Sequence, residues 1–86
     1  MSILTEAEGI VNGARQADYN DPVQNFELIA ALSTFMTGKE FTAKDCCMVL
    51  MAVKLSREAF KHKRDNLVDL CGYCEILERL NARQTE

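Results

Sequence analysis

The chain has 86 residues, a formal net charge of −3 and 48% hydrophobic residues, enough for one small domain and no second. An acidic balance argues against a general nucleic-acid binder, and the longest apolar runs fall far short of the roughly 20 residues that cross a bilayer. The first residues, Met1 to Glu6, lack the basic start and apolar run of a secretory signal, so a cytoplasmic setting is expected.

The first helix is expected over 3–16. Ser2 is placed to cap it, and Ile3, Leu4, Ala7, Ile10, Val11 and Ala14 recur at three- and four-residue steps, which makes one apolar face. Tyr19-Asn20-Asp21-Pro22 then breaks the chain, because Asn tolerates left-handed backbone angles and Pro suits the first position of a helix. Asp21 with Gln24 resembles a capping box and opens a helix over 22–37. Its buried stripe is expected at Phe26, Ile29, Ala30, Leu32 and Phe35, with Val23 and Met36, and Gly38 stops it.

Thr42-Ala43-Lys44-Asp45 is a second capping box, opening a helix over 43–61. A fourth helix is expected over 65–81 with Asp65 as its cap, leaving 82–86 as a frayed tail. No strand pattern and no repeat occurs. The expected fold is therefore all-α: a compact bundle of about four short helices in an up-down arrangement, forming one domain over 1–86. A domain this short buries only about 60–65% of its unfolded surface, so its hydrophobic surplus points to a homo-oligomer.

Four cysteines, Cys46, Cys47, Cys71 and Cys74, lie within helical patterns instead of on knuckle turns. Buried reduced thiols are the favoured reading, with zinc as the alternative. His62 is the lone histidine and has no nucleophile beside it, so no catalytic residue and no metal site is assigned.

Two stripes could carry a ligand. Lys54, Arg57, Glu58 and Lys61 share one side of the third helix, and Asp65, Asp69 and Tyr73 recur every four residues on the fourth. If these helices form a hairpin, the stripes either join in salt bridges that orient it or hold a phosphate on the cations, with the aspartates orienting them or meeting ribose hydroxyls and base edges. Arg15, Tyr19 and Asn25, around the first break, either plug the bundle end or stack on a base and reach its phosphate.

Arg15-x-x-x-Tyr19-Asn20-x-Pro22-x-x-Asn25-Phe26, followed by Lys54-x-x-Arg57 and Asp65-Asn66-x-x-Asp69-x-x-Gly72-Tyr73, resembles a family of small phage and prophage proteins catalogued as a domain of unknown function. The resemblance covers residues 2–80, with Asn20 where the family pattern usually has Gly. The helical layout is also similar to the MazG-related all-α nucleoside triphosphate pyrophosphohydrolases, which hold magnesium through an E-x-x-E on one helix and an E-x-x-D on another. Asn66-x-x-Asp69 stands at the second of these motifs with Asn in place of Glu, and Glu75-x-x-Glu78 follows it on the same helix.

These resemblances imply a nucleotide scaffold in the cytoplasm of an infected or lysogenic bacterium. The expected function is non-catalytic binding of a phosphorylated, nucleotide-like small molecule through Arg15, Tyr19, Asn25, Lys54, Arg57, Asp65, Asp69 and Tyr73, without a cofactor. In a phage such a protein can act as a sponge for a cyclic-nucleotide or ADP-ribose-type immune signal. The alternatives are a magnesium-dependent pyrophosphohydrolase, for which Mg2+ would be the cofactor, and a module that inhibits a host protein.

Overall fold

A computed structural model describes residues 1–13 and 21–84, and among these it shows four helices and no strand. They are α1 (Ile3–Asn12), α2 (Pro22–Thr37), α3 (Ala43–Phe60) and α4 (Arg64–Gln84).

Local chemistry sets most helix ends. The Ser2 hydroxyl accepts from the Thr5 amide at 3.1 Å, supplying one of the partners that the first turn of α1 lacks. α1 ends at Asn12, because Gly13 leaves helical angles with φ −116° and ψ −122°, and residues 14–16 of the expected helix lie outside the described residues. A Cβ at Gly13 would stand 2.5 Å from the Gly9 carbonyl oxygen, so only glycine fits there.

Asp21 caps α2, accepting from the Gln24 amide at 3.3 Å, and Gly38 ends it in the left-handed region at φ 72°. The Thr34 hydroxyl accepts from the Phe41 amide at 3.0 Å and folds the chain back towards α3. The capping box at α3 is complete: the Asp45 amide donates to the Thr42 hydroxyl, and the Thr42 amide to the Asp45 carboxylate, both at 3.0 Å. The Thr42 amide and, after it, the Thr42 hydroxyl hold the Asp45 carboxyl below its ordinary pKa.

At the α3–α4 turn the organiser is Glu58, not the expected cap Asp65, which lies exposed in the first turn of α4. Glu58 accepts from the Lys63 amide at 3.1 Å and the Asn66 side-chain amide at 3.2 Å, and it pairs with His62. The His62 bond, foremost among these, holds the Glu58 carboxyl below its ordinary pKa.

α4 is the central element, packed against the other three helices. Contacts Cys47–Tyr73, Lys54–Asp69 and Glu58–Asn66 run in opposite order along α3 and α4, so these two are antiparallel. α1 runs in the same direction as α4: Glu6 and the Met1 carbonyl meet Arg64, Val11 lies on Gly72, and Asn12 accepts from Arg79 at 2.6 Å. This departs from the expected up-down order. More residues separate α1 from α2 than separate either later pair of consecutive helices, whereas up-down neighbours need only short turns. Gly72 permits the close approach, since a Cβ there would lie 3.3 Å from a Val11 methyl.

The core gathers Val11, Val23, Phe26, Ala30, Cys46, Cys47, Ile76 and Leu80. Cys46 and Cys47 are both buried although adjacent, because α3 packs against α2 and α4 on different flanks. The other two cysteines depart from the buried reading: Cys71 is half-buried and Cys74 exposed. So do Leu32, Phe35 and Met36, which were expected in the buried stripe of α2 and instead face solvent. The tail is shorter than expected too, since α4 continues to Gln84 and Arg83 pairs with Glu27 at 3.0 Å.

Candidate ligand site

All four helices meet around a partly open cavity of about 130 Å3. α1 lines it with Ala7, Ile10 and Val11, α2 with Pro22, Asn25, Phe26 and Ile29, α3 with Leu50, and α4 with Val68, Asp69, Gly72, Tyr73 and Ile76. The wall is apolar apart from three polar side chains, those of Asn25, Asp69 and Tyr73. Phe26 and Tyr73 stand edge to face, their centroids 6.2 Å apart with an interplanar angle of 84°. That geometry suits the ring quadrupoles and fixes the tyrosine plane.

Asp69 carries the strongest polar contact at the cavity. Its carboxylate meets Lys54 Nζ at 2.6 Å, with only 13% and 14% of the two side chains exposed. The hairpin therefore joins the two stripes within one chain at this pair. Arg57 and Asp65 are exposed and are not joined to each other. Leu50, Lys54 and Arg57 follow one another on one side of α3, so Arg57 stands about 10 Å along the axis from the cavity wall. Asn25, Asp69 and Tyr73 are thus brought together, with Lys54 bonded to their edge, while Arg15 and Tyr19 lie outside the described residues.

Behind the site, Cys47 Sγ donates to the Tyr73 carbonyl at 3.5 Å. Burial pushes this thiol up to a pKa of about 11, so it stays protonated and acts as a packed donor. Sequence reasoning did not single out the apolar wall of Ile10, Pro22, Ile29 and Leu50. Its residues are ordinary core types, and only their convergence from four helices makes a cavity. Among the described residues no group of three or more His, Cys, Asp or Glu is placed to hold a metal ion.

Residues 2–81 match the model of the domain of unknown function DUF6378. The chain belongs to this family. It is 39% identical over 88 residues to the Gene 55 protein of Mycobacterium phage L5, a match spanning all of the chain and 56% of that protein. It is 31% identical over 86 residues to the Gene 55 protein of Mycobacterium phage D29, spanning 99% of the chain and 57% of that relative. This DUF6378 chain thus spans just over half the length of the curated relatives it matches. No solved structure matches it. Among the described residues no helix is long and apolar enough to cross a membrane.

Proposed function

We propose that this DUF6378 chain holds a phosphorylated, nucleotide-like small molecule without cleaving it. The observation that carries the reading is the apolar cavity of about 130 Å3 whose polar groups are Asn25, Asp69 and Tyr73. A cavity near 150 Å3 takes up one benzene ring, so this one suits a pyrimidine or the six-membered end of a purine. The Asn25 amide offers both a donor and acceptors to a base edge, and Tyr73 offers an aromatic face or edge. The ligand's phosphate then points along α3 to the exposed guanidinium of Arg57, which suits bidentate contact, while Lys54 holds Asp69 in place.

Within a phage family the fitting role is that of a sponge, sequestering a cyclic-nucleotide or ADP-ribose-type signal made by the infected cell. The MazG-like alternative requires several carboxylates converging on magnesium, whereas Asp69 is the single acid among the described residues lining this cavity.

Thermal unfolding against cyclic dinucleotides, cyclic oligonucleotides, ADP-ribose derivatives and nucleoside triphosphates, with and without magnesium, tests the proposal. A true ligand at a hundredfold its Kd adds about 2.7 kcal/mol, and mass analysis should return it intact. Asn25→Ala should remove the stabilisation. Magnesium-dependent cleavage would replace this reading with the hydrolase, and a flat panel would discard the site.

A further inference from the structure

Among the described residues, α2 is apolar on two opposite sides. Val23, Phe26 and Ala30 enter the core, while Leu28, Leu32, Phe35 and Met36 face solvent, Phe35 at 88% exposure and Met36 at 79%. The outer set recurs at i, i+4, i+7 and i+8, the same period that defines a buried stripe. A helix with a second apolar side has that side to bury as well, yet nothing in this chain's described residues covers the outer side. Val49 extends the apolar exposure onto the neighbouring α3.

We infer that this face of α2, with the adjoining side of α3, is the contact surface for a second copy of the chain. Surface area favours that occupant. A compact monomer of 9.7 kDa exposes about 5,100 Å2, whereas this chain exposes 5995 Å2. The excess is close to the roughly 800 Å2 that each partner buries in a standard interface.

Charge points the same way. From Leu28 to Met36 no residue is charged, so the stripe has no ionic feature to match against a different partner. A two-fold axis pairs such an uncharged stripe with itself. This inference stands apart from the ligand proposal, since the cavity opens elsewhere on α2, at Pro22, Asn25, Phe26 and Ile29.

Sedimentation equilibrium of the unliganded chain, from micromolar concentration upward, gives the test. The expected mass is twice 9.7 kDa. Leu32→Asp and Phe35→Asp should each weaken association by about a hundredfold or more, because each would bury an unpaired charge. Their helical circular dichroism should not change, since neither side chain enters the core. Phe60→Asp, at an equally exposed residue ending α3, should leave the dimer intact. A monomer at every concentration would overturn the inference. So would a dimer indifferent to both α2 substitutions, or one broken only by Phe60→Asp.

Discussion

The seam between α3 and α4 and the outer side of α2 solve opposite problems. Along the seam polar groups are drawn inward and matched: Lys54 with Asp69, Glu58 with Asn66, Cys47 with the Tyr73 carbonyl. Among the described residues no buried side-chain polar atom lacks a partner. On the outer side of α2 the chain leaves large apolar side chains in water with nothing to match. A polar seam fixes geometry, because each donor accepts few alternatives. An apolar stripe supplies free energy in proportion to area without specifying its partner so narrowly. The candidate ligand cavity sits beside the seam, where side-chain positions are held, and the proposed dimer surface sits where area is plentiful.

The largest break in this comparison is expected at Lys54. Lys54→Met leaves the nearly buried Asp69 carboxylate without its cation and should cost about 3 kcal/mol of stability. The double variant K54M/D69L should recover most of that loss, since apolar replacement of a buried pair is close to neutral. The recovered protein should still fail to bind the nucleotide ligand, because Asp69 is gone from the cavity. Urea unfolding with ligand titration reads both outcomes. A single variant as stable as the parent would show the pair to be incidental, and a double variant that still binds would remove Asp69 from the site.

The same division explains what could be read in the sequence. Helix starts at Ser2, Asp21-Pro22 and Thr42-x-x-Asp45 were legible because capping is settled within four residues, and the 22–37 helix matches at both ends. Periodicity located the apolar residues of α2 but could not say which side was inward, since a helix apolar on two opposite sides has two candidate faces. Leu32, Phe35 and Met36 fell on the wrong side for that reason. The stripes of α3 and α4 were legible, yet which members would meet depends on the register of two packed helices. Lys54 and Asp69 pair, whereas Arg57 and Asp65 are exposed and unjoined. The shared direction of α1 and α4 rests on contacts more than 50 residues apart in sequence, such as Arg64 with Glu6, and no local signal encodes it.

A second, smaller break uses pH. The Cys47 thiol ionises near 9.0 when free and near 11 when folded. The unfolded chain therefore loses this proton first as pH rises. The stability it contributes is complete below pH 9.0 and is lost between 9.0 and about 11, by up to about 1.4 kcal/mol per pH unit. Cys47→Ala should flatten that part of the curve relative to the parent, whatever its stability at neutral pH. Parallel curves for the two proteins would show that the thiol is not held from solvent.

The smallest effect is expected at the pair that joins the end of α4 to α2. Arg83 Nη1 and Glu27 Oε1 lie 3.0 Å apart, but about half of each side chain is exposed, so solvent and salt screen them. A double-mutant cycle with Arg83→Ala and Glu27→Ala should return a coupling of about 0.2–1 kcal/mol, shrinking as salt is raised. The pair's consequence is local. Without it the last turn of α4 has few contacts to oppose fraying, so amide exchange should rise over residues 81–84 while the Lys54–Asp69 seam stays protected. Faster exchange spreading into the seam would mean that the end of α4 unfolds together with the site. The contrast between a fixed seam and a loosely tethered periphery would then fail.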